Sequence, residues 1–350
     1  GADTNQWRPA VFEGTRPIEP YLGNPDYNFD YDIADRAIQW VRNQKAVAPD
    51  KPFFLYYAPA ATHAPHHPKK EWIAKYTGKF DQGWDKVREE TLARQKELGI
   101  VPANTQLTKR HAELPAWDSL NAEQKQLSAY MMEVYAGFLS QTDYNIGRVL
   151  DAIEQLGQLD NTLVIYIVGD NGASVEGSIQ GSLNEVASVN RIPEDFRQML
   201  KRKDDLGTWK TINHYQVPWA HAMNTPFQYA KGYASHYGGT RNGMVISWPA
   251  GIKDRGGIRT QWHHTIDIVP TLLELCGLQQ PSVVSGVAQK PIEGVSMAYT
   301  FDDPKAPSAR RTQYFEMFGM RGIYYDGWVA CTTPLMPLGD AGDPTADVVT

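Results

Sequence analysis

Thr162-Leu163-Val164-Ile165-Tyr166-Ile167-Val168-Gly169-Asp170-Asn171-Gly172-Ala173-Ser174 is an apolar run that stops in an acid, an amide and a glycine. The run is rich in Val, Ile and Tyr and too short for a further helix, so it reads as a buried central strand. In an open α/β sheet, ligands collect beyond the carboxyl ends of the strands. Asp170 and Asn171 then stand at that rim with their side-chain oxygens available. Two adjacent oxygen donors, one charged and one neutral, suit a hard cation such as calcium or magnesium. Asp-Asn-Gly is also the composition of a tight turn capping a strand, and the local pattern leaves both readings open.

On either side of this stretch, helix and strand alternate. Ile33, Ala37, Ile38 and Trp40 recur at helical spacing between Tyr31 and Gln44, and Pro49-Asp50-Lys51-Pro52 closes that helix. Phe53-Phe54-Leu55-Tyr56-Tyr57 reads as a short aromatic strand. Residues 85–96 alternate charge signs along a solvated helix face. A proline-bearing linker runs from Val101 to Trp117, and a long helix from Ala122 to Leu156 is stopped by Gly157. Helix followed by buried strand, repeated, predicts a mostly parallel β-sheet between helices. Residues 175–222 lack clear periodicity but hold Trp209 and Trp219, so they read as an ordered insertion forming a lid or pocket wall. Gly243 to Pro249 is a strand stopped by its proline, and Thr265 to Leu275 a helix interrupted at Pro270. Residues 313–320 and 321–330 resemble two antiparallel strands.

Composition excludes several classes. A net charge of −6 and a pI near 5.9 give no general attraction to nucleic acid or to an anionic membrane. No apolar run approaches a membrane span. Two cysteines, Cys276 and Cys331, are too few for a disulfide scaffold or a cysteine zinc cluster. Cys276 ends an apolar helix and is expected as a buried free thiol. Oligomeric state and compartment are not encoded in any of these patterns.

Three further segments bear on chemistry. Thr62-His63-Ala64-Pro65-His66-His67 follows the Phe53–Tyr57 strand and lands at the same rim. Prolines keep it extended, so its imidazoles diverge, which favours one functional histidine over a histidine metal cluster. A surface loop with incidental histidines is the competing reading. Lys231 lies among small and aromatic residues ahead of His236-Tyr237-Gly238-Gly239-Thr240-Arg241. A lone ammonium there serves an anionic ligand or is simply solvated; His236 and Arg241 read mainly as surface or supporting groups. Asp302-Asp303, before Pro304, reads as an exposed turn.

Taken in order, these segments resemble the type I sulfatases, the arylsulfatase branch in particular, over residues 3–330. The resemblance implies an alkaline-phosphatase-like α/β fold, with residues 1–305 in the large domain and 306–350 opening a smaller C-terminal antiparallel subdomain. It implies that Asp170 and Asn171 bind one calcium ion, that Lys231 contacts the sulfate group, and that His63 contacts sulfate or the leaving oxygen. Lys231 and His63 are therefore the expected catalytic and substrate-binding residues, and a small sulfate ester the expected partner. Thr265 to Leu273 and Gly294-Val295-Ser296 match structural positions of the family.

The departures are equally specific. The family's nucleophile is a formylglycine made from Cys or Ser in Cys/Ser-x-Pro-x-Arg, and no such motif occurs in residues 1–350. The family's Asp-Asp metal pair and its Gly-Lys-x-x-His segment are also missing. All three precede the His63 segment in the family's order. The expectation is therefore an internal piece of a longer sulfatase, inactive alone, with formylglycine and the remaining calcium ligands supplied from outside it. A phosphate or phosphonate monoester hydrolase of the same superfamily, or a non-catalytic module for sulfated ligands, are the alternatives.

Overall fold

The structure, a computed structural model, describes residues 5–334 and Leu338. A short hairpin, β1 (Val11–Glu13) and β2 (Arg16–Ile18), leads into helix α1 (Phe29–Val47). Helices α2 (Lys70–Ala74) and α3 (Gly83–Glu97) precede the longest helix, α4 (Ala122–Gln155). The start of α4 is set by a reciprocal cap: Gln124 N–H donates to Asn121 Oδ1 and Asn121 N–H to Gln124 Oε1, both at 2.9 Å. Two amides that the helix cannot satisfy internally thereby find partners. Gly157 takes a left-handed φ of 67° just past its end, a conformation that a Cβ disfavours. Ala34, Ala37 and Val41 of α1 pack against Val149 and Ile153 of α4.

After α4 come strand β3 (Val164–Val168), helices α5 (Glu185–Val189), α6 (Phe196–Lys201), α7 (Val217–Met223) and α8 (Tyr237–Thr240), and strand β4 (Gly243–Ser247). Trp219 of α7 is fully buried, with the indoles of Trp84 and Trp117 at 5.5 and 5.9 Å. Its Nε1–H donates to the Ser128 carbonyl of α4 at 3.0 Å, so the indole is buried without an orphaned donor. Leu127, Met131 and Val134 of α4 and Met199, Leu206 and Val217 complete this core. Residues 175–222 thus supply much of the interior. Trp209, in contrast, is exposed beneath the guanidinium of Arg8.

The sheet differs from expectation. β3 pairs antiparallel with β4, from Val164 opposite Ser247 to Val168 opposite Gly243. Every strand ladder among the described residues is antiparallel, so the expected mostly parallel sheet is not seen in them. Nor is β3 a buried centre: with β4 its one ladder partner there, Ile167 and Val168 remain exposed. Phe53–Tyr57 joins no ladder among these residues. Its Phe53, Leu55 and Tyr57 pack against the α1–α4 seam, and Phe54 and Tyr56 are exposed. The alternation of a strand is present without a hydrogen-bonding neighbour to complete it.

Helix α9 (Ile268–Leu275) starts later than expected, so Pro270 lies in its first turn, where no amide is needed, and does not interrupt it. Cys276, just beyond the last turn, is exposed, correcting the expected burial. After a small hairpin of β5 (Val283–Val284) and β6 (Val287–Ala288), β7 (Thr312–Met317), β8 (Met320–Tyr325) and β9 (Trp328–Cys331) form one antiparallel sheet. The expected second strand is divided because Asp326 and Gly327 turn the chain with positive φ. Tyr324 stacks on Trp262 at 4.4 Å, and the buried carboxylate of Asp267 takes the Arg310 guanidinium. These two contacts fasten the sheet to the α9 region. The remainder of the expected subdomain, 335–337 and 339–350, lies outside the described residues.

Candidate active site

The β3–β4 register sets Val168 beside Gly243, so the loop leaving β3 and the loop entering β4 share one end of the hairpin. Gly172 N–H donates to the Gly239 carbonyl at 2.9 Å. A Cβ on Gly172 would fall 1.6 Å from the Gly238 oxygen, so glycine is what lets the two backbones meet. One residue on, the Ala173 carbonyl accepts from Lys231 N–H at 3.0 Å. The Asp170-Asn171 segment and the Lys231 segment are therefore fixed to each other by main-chain bonds.

The Lys231 side chain joins three parts of the chain. Its Nζ lies 2.9 Å from Glu176 Oε2 and 3.3 Å from His63 Nε2. His63 Nδ1 is 2.8 Å from the Ala64 carbonyl. A carbonyl only accepts, so Nδ1 carries the proton and Nε2 presents its lone pair to the ammonium. Ser174 Oγ donates to the same Glu176 oxygen at 2.7 Å. Burial pushes the Glu176 carboxyl up, but the Lys231 and Ser174 hydrogen bonds outweigh it and hold the group below its ordinary 4.5. An ammonium, a neutral imidazole and a carboxylate thus meet in a half-buried group.

Asp170 is exposed, and its carboxylate makes no hydrogen bond or ion pair among the described residues. Asn171 Nδ2 donates to the Gly172 carbonyl at 2.8 Å, which leaves Oδ1 as an acceptor. Hard oxygen donors in this state fit calcium, as two of the roughly six to eight ligands it takes. A second group, Glu176, Glu185 and His214, offers ligand atoms within 4.8 Å of one another. There the Lys231 ammonium already takes one Glu176 oxygen. Burial lowers His214 to about 4, so it is neutral, and its Nδ1 is 2.9 Å from the Tyr215 carbonyl.

Of the three histidines after Phe53–Tyr57, only His63 reaches this group. His66 is buried against Tyr215 and His214, at 5.2 and 5.1 Å, and His67 Nε2 is 2.8 Å from the Thr211 carbonyl. His236 bonds Ser235 and lies 3.7 Å from Cys331 Sγ, while Arg241 covers the rings of Phe227 and Tyr237. Asp302-Asp303 is an exposed turn. Sequence reasoning missed Glu176 and His214. Glu176 follows Asp170 closely in one loop, a proximity that was available as a signal. His214 is brought in by its bridge to Ser182, which nothing in the local sequence announces.

Comparison with known proteins identifies the family. The Sulfatase family model matches residues 4–278. An uncharacterized sulfatase of Schizosaccharomyces pombe is 34% identical over 264 residues, covering 73% of this chain and 44% of its own length. An arylsulfatase of Klebsiella aerogenes is 31% identical over 255 residues, covering 73% of this chain and 52% of its own. The chain spans about half the length of these relatives. Among solved structures, the Bacteroides fragilis protein yidJ, a candidate sulfatase, superposes with a TM-score of 0.53 at 16% identity, over 92% of this chain and 52% of that one. Ps i-CgsB, crystallised with k-i-k-neocarrahexaose, gives 0.51 at 17%, over 94% and 50%. The fold is accordingly the mixed α/β fold of these proteins.

Proposed function

The chain belongs to the sulfatase family, and from that premise we propose that the complete protein hydrolyses sulfate esters, of the aryl class, at the Lys231–His63 site. The observation that carries this reading is the Lys231 ammonium, set between His63 and Glu176 on a loop bonded to the Asp170-Asn171 segment. Lys231 has three N–H donors, and two are engaged by Glu176 and His63. The third is left for an ester oxyanion. An anion that draws Lys231 toward itself also releases His63 Nε2. That nitrogen then takes up a proton from solvent and passes it to the departing phenol oxygen, a general-acid task suited to an imidazole.

Asp170 and Asn171 would hold calcium with further oxygen ligands. When bound, the ion supplies positive charge against the sulfate oxygens. Formylglycine, whose motif is not within residues 1–350, would supply the nucleophile in the complete protein. The test is a parallel assay of the complete protein on an aryl sulfate and an aryl phosphate. Faster turnover of the sulfate supports the reading. Faster turnover of the phosphate overturns it in favour of a phosphomonoesterase, and turnover of neither overturns it in favour of a binding module.

A further inference from the structure

Glu176 is not needed to bind an anion; by charge it opposes one. Yet it lies 2.9 Å from Lys231, anchored by Ser174 Oγ at 2.7 Å, with both partners of the ion pair 25% exposed. The imidazole on the other side of Lys231, His63, presents a lone pair and no charge. His214, close behind Glu176, is also neutral. The ammonium therefore keeps one donor for a ligand, and its charge is already balanced by a neighbouring carboxylate.

Resting on the reading of Lys231 as the anion contact, we propose that Glu176 is a specificity-determining residue that favours monoanionic sulfate esters over dianionic phosphate monoesters. An aryl sulfate carries one negative charge, which the third Lys231 donor meets. An aryl phosphate carries about two above its second pKa near 6. The additional charge faces the Glu176 carboxylate across a few ångströms of half-buried space, where repulsion is screened less than in water. Ground-state charge selection of this kind needs no contact between Glu176 and the substrate.

The test is calorimetric titration of the complete protein, its formylglycine residue replaced by alanine so that neither ester turns over, with 4-nitrophenyl sulfate and with 4-nitrophenyl phosphate at about pH 8, where the phosphate is dianionic. This parent protein should bind the sulfate more tightly. Glu176→Gln should raise the phosphate affinity relative to the sulfate about tenfold, the scale of one unit-charge repulsion at a partly exposed site. Glu176→Asp should keep the parent order, and Lys231→Ala should weaken both ligands. An unchanged ratio in Glu176→Gln, with both ligands weakened in Lys231→Ala, overturns the inference and leaves the anion site standing. Parent-like binding in Lys231→Ala, or no binding of either ligand to the parent protein, overturns the reading beneath it. A second arm needs no further variant: discrimination by the parent protein should shrink as the pH falls to about 5.5 and the phosphate becomes monoanionic. Constant discrimination across that range contradicts the proposal.

Discussion

Lys231 Nζ and His63 Nε2 lie 3.3 Å apart across 168 residues of sequence, with the lysine donating and the imidazole accepting. The two residues therefore do not act independently. Under the proposed reading, a ligand that draws the ammonium away changes the protonation demand on His63 Nε2, which would couple anion binding and proton transfer at one hydrogen bond. Lys231 is held in place by two main-chain bonds, Lys231 to Ala173 and Gly172 to Gly239, which tie its loop to those that follow β3 and precede β4.

Gly172→Ala should disrupt that tie. A Cβ there would sit 1.6 Å from the Gly238 oxygen, so the backbones must part. A loss of at least about 2 kcal/mol is expected from overpacking. Gly243→Ala is the control, since its Cβ would meet nothing within 4 Å. Urea midpoints of the two variants check this; equal midpoints would show that the loop contact is not rigid.

Asp170→Ala in the complete protein should lower calcium affinity and sulfate-ester turnover together, because it removes the charged oxygen donor of the pair. Calcium content by elemental analysis, measured beside activity, is the check. Full calcium occupancy and full activity in the variant would remove Asp170 from the metal site.

Acid should destabilise the fold well above the carboxylate range. Burial lowers His67 and His214 from 6.5 to about 4 and His221 to about 3. The unfolded chain takes up these protons near pH 6.5, whereas the native chain holds off until its depressed values. Their contribution is thus whole above pH 6.5 and is lost as the pH falls toward 4, roughly 3 kcal/mol each for His67 and His214. Denaturant midpoints at successive pH values measure this loss. A midpoint unchanged between neutrality and pH 5 would show that these histidines are not buried in the neutral form.

What the sequence disclosed, and what it concealed, follows from the range of the interactions. Helix α4 was legible because its stop, Gly157, is local. β3 was legible as a strand, but its antiparallel partner β4 begins 75 residues after β3 ends, and no local pattern names a partner. Phe53–Tyr57 showed strand alternation that the described residues do not pair. Trp209 and Trp219 looked equivalent, yet only Trp219 has neighbouring indoles to bury it. His63 and Lys231 were singled out through the family's motifs, and the structure places them 3.3 Å apart. Glu176 was missed because it opens an aperiodic stretch, and its importance comes from Lys231, which reaches it across 55 residues.

The central claim is that Lys231 is the cation that receives the sulfate group. Its most direct test is kcat/KM of the complete protein for an aryl sulfate, native against Lys231→Ala, with calcium content measured on the same samples. Removing an electrostatic donor from a partly dehydrated site should lower kcat/KM on the order of 10²–10³-fold, with calcium content unchanged. Native turnover in Lys231→Ala would contradict the account.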